Sequence, residues 1–316
     1  PSGDRYVAPG GEDDANLCQD PDNPCQTIAH AVNVASVHGD ETIHIADGRY
    51  VESGLEVDKE LNFVGESEEG VTIGPDSATQ DHTFTLGPNA TGTTFSNLEI
   101  LTNATTFGVA GVATDSGDEA VDDVSFTDVT ITGNGPGFGT FGVFVNDPAN
   151  NWDFLRYSAQ QLYFGIEVEG DAADFTVDDS HFHEDRIGIN VTKTTPLGED
   201  STGDIDGLTV TDTDFVDNEY RGLYFEALTN GSFDNLEITG TGQGVDPLPV
   251  GGRGFAINLK DGDYETISIT NSLIEGSVNE GIGLEVRGYP GDSPTYVNAP
   301  ATLDSFVATG NTIVGN

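Results

Sequence analysis

Apolar residues at alternate positions mark short strands along most of the chain. At Ile187-Gly-Ile-Asn-Val191 three apolar side chains alternate with Gly188 and Asn190, the signature of a half-buried strand. The pattern recurs at Phe107-x-Val109, Phe141-x-Val143-x-Val145, Phe164-x-Ile166-x-Val168, Leu223-x-Phe225-x-Ala227, Phe255-x-Ile257-x-Leu259 and Ile282-x-Leu284-x-Val286. The starts at 107, 141, 164, 187, 223, 255 and 282 are 34, 23, 23, 36, 32 and 27 residues apart. A floor of 23 repeats and only the excess varies, as in a coil of fixed circumference carrying loops of variable length.

A second repeat, apolar-x-apolar-x-bend-x-x-apolar, runs out of phase with the first. It fits Val124 to Ile131, Phe175 to Phe182, Leu208 to Phe215 and Ile267 to Ile274, with looser copies from Thr93, Trp152, Gly231 and Phe306. Its bend position holds Asn97, Asp128, Arg156, Asp179, Asp212, Asn235, Asn271 and Gly310. Asn, Asp and Gly tolerate the positive φ of a one-residue corner. Each turn therefore carries three short strands, one from the first repeat and two flanking the corner. A β-sandwich also has short strands with turn signals, but it gives no reason for two repeats to keep phase. Stacked turns about 4.8 Å apart bury what one turn cannot. The expectation is an all-β, single-stranded parallel β-helix of roughly nine to ten turns, with Val143, Ile166, Ile189 and Ile257 in one internal column.

Residues 1–40 read as an N-terminal cap and 41–316 as the coil. Thr27 is placed as the N-cap of a helix over 27–38 with Ile28, Ala31, Val32 and Ala35 on one face, ended by Gly39-Asp40. Such a helix covers an end that would otherwise be a sticky sheet edge. No helix follows the final strand pair at 306–313. Either the chain continues or another subunit covers that end.

The stretch 5–73 gives the family resemblance. A Cys-containing loop leads into Pro24-Cys25-x-Thr27-Ile28; then come Gly39-Asp40, Gly48-x-Tyr50 and a strand ending near Gly65. This lead-in resembles the pectin-lyase-like superfamily, and in particular β-helix proteins of bacterial and archaeal surfaces. The resemblance implies a right-handed coil, in agreement with the handedness of parallel crossovers. It also implies that an extended polysaccharide lies across the face made by the first strand of each turn.

Composition changes the picture in two ways. Asp plus Glu is 55 against Lys plus Arg at 10, a net charge of −45, and Lys occurs at 59, 193 and 260 alone. Phased strands exclude the disorder that such charge can signal, so the charge is a solvated surface. It opposes binding to nucleic acid or an anionic membrane. It resembles the surface of proteins from extreme halophiles, where molar salt shortens the Debye length to about 3 Å. Cys18 and Cys25, with six residues between them, read as a local disulfide and hence an oxidising compartment. Asn89, Asn103, Asn190 and Asn230 open Asn-x-Ser/Thr sequons, weak support for export. No signal peptide or membrane span is visible, so no membrane insertion is expected; a leader can have been removed.

Two outward columns are expected on the first-strand face. The first is Gly108, Gly142, Gly165, Gly188, Tyr224, Ala256 and Gly283; the second is Ala110, Phe144, Glu167, Asn190, Glu226, Asn258 and Glu285. Small residues leave room against the backbone, and acidic and amide groups bond hydroxyls. The alternative is that glycine relieves crowding under loops that fold back over the face. Long loops at 192–207, 239–254 (with Pro247, Pro249, Gly251 and Gly252) and 287–305 flank it. The glycan-binding candidates are Glu167, Arg186, Asn190, Arg221, Tyr224, Glu226, Asn258 and Glu285.

The densest polar cluster is Asp178-Asp179-Ser180-His181-Phe182-His183-Glu184-Asp185-Arg186. A carboxylate, a His and an Arg can supply acid, base and charge stabilisation for cleaving a uronic polymer. An enzyme would use His183, Arg186 and Glu167. The polygalacturonase-type pattern of the superfamily is incomplete, however. Asp178-Asp179 and Arg186-Ile187 fall in one turn, no Gly-His-Gly is present, and Gly188 stands where a Lys is required. No zinc pattern is recognised and no cofactor is required. Ca²⁺ would be needed only to bridge an acidic groove to an anionic polymer. The sequence thus favours a non-catalytic, secreted or surface-displayed module in a high-salt setting: a spike, fibre or adhesin of a halophile or its virus. Its partners would be a glycan or neighbouring subunits, including copies of itself. A polysaccharide lyase, hydrolase or epimerase is the runner-up.

Overall fold

The computed structural model describes residues 3–37, 39–115, 117, 119–137, 139–193, 203–244, 251–288 and 300–316; Pro247 and Pro249 lie outside them. It is an all-β coil matching a right-handed parallel β-helix. Nine strands form one sheet: Leu55–Val57, Phe84–Leu86, Val109–Thr114, Thr140–Val145, Phe164–Val168, Ile187–Val191, Arg221–Phe225, Arg253–Leu259 and Ile282–Val286. Each belongs to a successive turn and pairs in parallel with the next. The other strands form a twenty-stranded sheet that holds both flanks of the corner.

The corner column is as the second repeat requires. Asn97, Asp128, Arg156, Asp179, Asp212, Asn235 and Asn271 have φ between 48° and 55°, and Gly310 has 72°. Side chains tie successive corners: Asn235 Nδ2 donates to Asp212 Oδ1 at 2.5 Å and Arg156 Nη2 to Asp128 Oδ2 at 2.8 Å. Behind the corner, Ser180, Thr213 and Ser272 turn inward and are buried. Ser180 N–H donates to Thr213 Oγ1, and Ser272 Oγ accepts from Leu236 N–H. Buried backbone amides at the bend are thereby satisfied.

Core side chains stack in register with the turns. Phe63, Phe95, Phe126 and Phe154 are parallel to within 7°, with centroids 5.0, 5.2 and 5.0 Å apart, close to the strand spacing. Val143, Ile166 and Ile189 share an internal column that continues to Leu223 and Phe255. Ile257 is buried in the adjacent column, below Phe225.

The cap forms, shorter than expected. The helix spans Ile28–Val34, Thr27 accepts from His30 N–H, and Ile28, Ala31, Val32 and Ala35 are all buried. Glu52 accepts from the Ile28 and Ala29 amides at the positive end, where an anion is favoured. Lys59 Nζ takes the Val32 and Ala35 carbonyls at 3.0 and 3.2 Å, which closes the helix before Gly39. Cys18 and Cys25 form the expected disulfide, buried against the cap.

The largest correction concerns the glycines. A Cβ added to Gly142 would lie 2.5 Å from Tyr157 Oη; at Gly165 or Gly188 it would lie 2.6 Å from the Phe182 or Phe215 ring. At Gly111, Gly222, Gly254 and Gly281 it would meet Ile131, Ile238, Ile274 and Ile313 within 3.0 Å. These glycines face the core. The residue before each of the middle three, Phe141, Phe164 and Ile187, lies outside in a separate apolar cluster. The strands from Phe141, Phe164, Ile187 and Arg221 thus read out, in, in, out, in, and simple alternation misassigns the first two positions of the Phe141, Phe164 and Ile187 strands, whereas Gly283, paired with Ala256, stays outward. Gly108 is no member of the column: the strand begins at Val109, and Ala110 pairs with Phe141.

Candidate functional site

The outer face of the nine-stranded sheet carries the named polar residues in two columns. Phe144, Glu167, Asn190, Tyr224, Ala256 and Gly283 are register partners. Glu226, Asn258 and Glu285 lie two residues further along. The expected single column fails because the Ile187 strand pairs Asn190 with Tyr224, and Ile187 with Arg221.

These groups bond one another. Asn190 Nδ2 donates to Glu167 Oε2 at 2.6 Å. Tyr224 Oη donates to Glu226 Oε1 at 2.6 Å and accepts from Asn258 Nδ2 at 2.8 Å. Glu226 also takes the Lys260 ammonium, and its Oε2 accepts from Thr192 Oγ1 and Lys193 N–H at 3.0 Å each. Arg287 Nε donates to Asn258 Oδ1 at 2.6 Å and Nη2 to Glu285 Oε2 at 3.1 Å. Arg253 pairs with Glu285 at 2.8 Å and with Glu280. Arg221 stacks on the Tyr220 and Tyr224 rings at 4.6 and 3.9 Å, and Arg186 lies over Tyr163 and Tyr220 at 4.9 and 5.1 Å.

Glu167, Asn190, Arg221, Tyr224, Glu226 and Asn258 are each 9% exposed or less. These six side chains are covered, and of the expected candidates Arg186 and Glu285 retain partial exposure. Among the sequon asparagines, Asn190 is buried and bonds Glu167. Asn89 and Asn230 are exposed, though their amides bond Asp58 and Asp206, and Asn103 accepts from Asn134.

Burial raises the Glu167 carboxyl well above its ordinary value, reinforced by Glu169 and Glu226 and opposed by the Asn190 bond. Its Oε1 makes no hydrogen bond among the described residues. Burial thus favours the protonated form of Glu167. Tyr224 is raised by burial and by Glu226, so it stays a donor.

His183 is not part of this face. It lies in His181–His183, which pairs with Ser158–Gln160 and Asp214–Val216 in the twenty-stranded sheet. Both histidines share Asp214 as a partner: His183 Nε2 is 2.9 Å from Oδ2, and His181 Nδ1 contacts Oδ1. The bond to Asp214 outweighs burial and raises His183. Burial acts upward on Asp214, and the bonds to His183 and His181 overcome it and hold it low. Of the set His183, Arg186 and Glu167, His183 lies in the twenty-stranded sheet, Glu167 in the nine-stranded one and Arg186 in the bend before Ile187.

Sequence reasoning passed over Lys260, Lys193, Arg253, Arg287 and Asp214. The signal for the lysines was their scarcity. All three in the chain are fixed: Lys59 on the helix end, Lys193 on the Asp261 carbonyl at 2.9 Å, and Lys260 on Glu226.

No family model and no curated protein sequence matches the chain. Several solved structures are similar. Pectin methylesterase PemA from Erwinia chrysanthemi is 13% identical over 99% of this chain and 92% of that one, with a TM-score of 0.45. The pectin methylesterase from Aspergillus niger is 14% identical over 100% and 87%, at 0.42. The catalytic domain of GH87 alpha-1,3-glucanase is 14% identical at 0.38, and this chain covers 66% of it. These likenesses concern the fold alone. No helix among the described residues is long and apolar enough to cross a membrane.

Proposed function

We propose that the chain is a non-catalytic β-helix displayed outside the cell in concentrated salt, serving as a stiff structural or adhesive module. The observation that carries this is the satisfied network around Glu226. Tyr224, Thr192 and Lys260 bond Glu226, and Asn258 bonds Tyr224, which fixes the face and engages these groups with each other instead of leaving them poised for substrate. Exposed acids elsewhere keep the rod hydrated and apart from other polyanions. A glycan or a neighbouring subunit would be met along the margins of the face, at Arg186 and Glu285.

One observation favours the enzyme reading. Glu167 is a buried carboxyl whose protonated form is favoured by burial and by two further glutamates, and perturbed acids cluster at catalytic sites. Incubation with neutral and acidic polysaccharides in concentrated salt, assayed for reducing ends, unsaturated ends and released methanol, separates the two. The display reading expects no turnover. Turnover abolished by Glu167→Gln would overturn it.

A further inference from the structure

His181 and His183 project from one side of a strand because positions two apart share a face. Asp214 stands directly across from His181 on the next turn. The three offer one imidazole nitrogen each and a carboxylate, all within 4.8 Å of one another. Their side chains are 54%, 42% and 23% exposed. Beside them opens a cavity of about 420 Å³ lined by His181, Asp212, Asp214, Asn235 and Glu237 among others.

We propose that His181, His183 and Asp214 bind one divalent transition-metal ion of the zinc class, linking two successive turns of the coil. Two imidazoles and one carboxylate are a donor set for such ions. Calcium is disfavoured, since it takes six to eight oxygens. Tetrahedral bonds of about 2.05 Å place donor atoms about 3.3 Å apart. The His183 to Asp214 separation of 2.9 Å approaches that, and the exposed side chains have room to open the rest. The ion takes the place of the protons now shared between the imidazoles and the carboxylate. Its fourth position faces the cavity and is filled by water. Asp212 and Glu237 lining the cavity raise the local cation concentration. A histidine–carboxylate pair elsewhere among the described residues, His44 with Asp4 at 3.2 Å, is not part of such a three-ligand group and serves as the internal control.

The test uses the whole chain, stripped with chelator and returned to the salt in which it is folded. Zn²⁺ is titrated by calorimetry, and Co²⁺ is followed by its visible absorption. Expected are one tight equivalent per chain, an intense tetrahedral cobalt spectrum, and a rise in melting temperature on adding Zn²⁺. His181→Ala, His183→Ala and Asp214→Asn each weaken binding at least tenfold, while His44→Ala leaves it unchanged. Circular dichroism confirms that each variant is folded. Binding that persists in the His181→Ala/His183→Ala variant, or wild-type protein that takes up no more Zn²⁺ than this variant, overturns the proposal and leaves a hydrogen-bonded clip between turns.

Discussion

Substituting Gly188 by Ala asks which way the glycine column faces. A methyl group there would lie 2.6 Å from Phe215 Cδ1 and 2.8 Å from the Gly222 carbonyl oxygen. Neither can yield easily. The Phe215 ring is stacked on Phe182 at 4.8 Å, and Gly222 belongs to the next strand of the sheet. Overpacking of this kind costs about 1–3 kcal/mol. The lower entropy of the unfolded alanine chain returns about 0.4–1 kcal/mol. A net loss of about 1–2 kcal/mol follows, lowering the melting temperature by about 2–5 °C. Were the glycine to face solvent, the clash would vanish and only the gain would remain. The sign of the change therefore decides the orientation. Denaturant melts in concentrated salt measure it, with Gly10→Ala as the control, because a methyl group there meets nothing within 4 Å. Gly188→Ala protein as stable as wild type, or more so, would refute the inward placement and return the column to the outer face.

Three further outcomes test the packing and the electrostatics. Lys260→Met strands the buried Glu226 carboxylate and should cost about 3–5 kcal/mol, much of it recovered in Glu226→Gln/Lys260→Met; a loss below about 1 kcal/mol in the denaturation midpoint would show the pair to be solvated. Phe154→Ala empties a place beside Phe126 in the aromatic stack and should cost about 3–5 kcal/mol, read from the same melts. Glu167 has a folded pKa above its unfolded one, so its favourable contribution is complete below about pH 4 and is lost as pH rises through the folded value, at up to about 1.4 kcal/mol per unit. Glu167→Gln should therefore match wild type near pH 4 and exceed it progressively at higher pH, measured at fixed salt; parallel stability curves would show that the carboxyl titrates normally.

The coil was legible in the sequence because a solenoid repeats its instructions. Eight bend positions, most of them Asn, Asp or Gly, agree on one backbone conformation, and the structure gives every one a positive φ. Arg156 departs from that chemistry, yet its neighbours in the stack and its bond to Asp128 hold it there. What alternation could not convey is a break in the pleat. Phe164-Gly165-Ile166 and Ile187-Gly188-Ile189 look like alternating strands, and a period of two assigns the glycines outward. The rings of Phe182 and Phe215, arriving from the opposite wall, occupy the space behind those glycines. Long-range packing sets the orientation, and no local pattern records it.

Register explains the fate of the site. The longest interval on the mapped face, 36 residues, separates the repeat starts at Ile187 and Leu223, and there a Leu-x-Phe match sets the register two residues away from the true pairing of Ile187 with Arg221. A slip of two residues keeps the same side chains outward, so the slip is silent in the hydrophobic pattern while it changes the partners between those two turns. With the correct pairing, Asn190 meets Tyr224 and not Glu226, and Glu226 faces Lys260. Polar residues chosen as a row for an external ligand then become partners for each other. The scarce lysines carried the missing information. In a chain with 55 acids and three lysines, a lysine retained on an inward bend or under a loop is held by a specific acid or carbonyl. Tracing Lys260 to its acid identifies Glu226 as the centre of the network and makes the face a brace between turns.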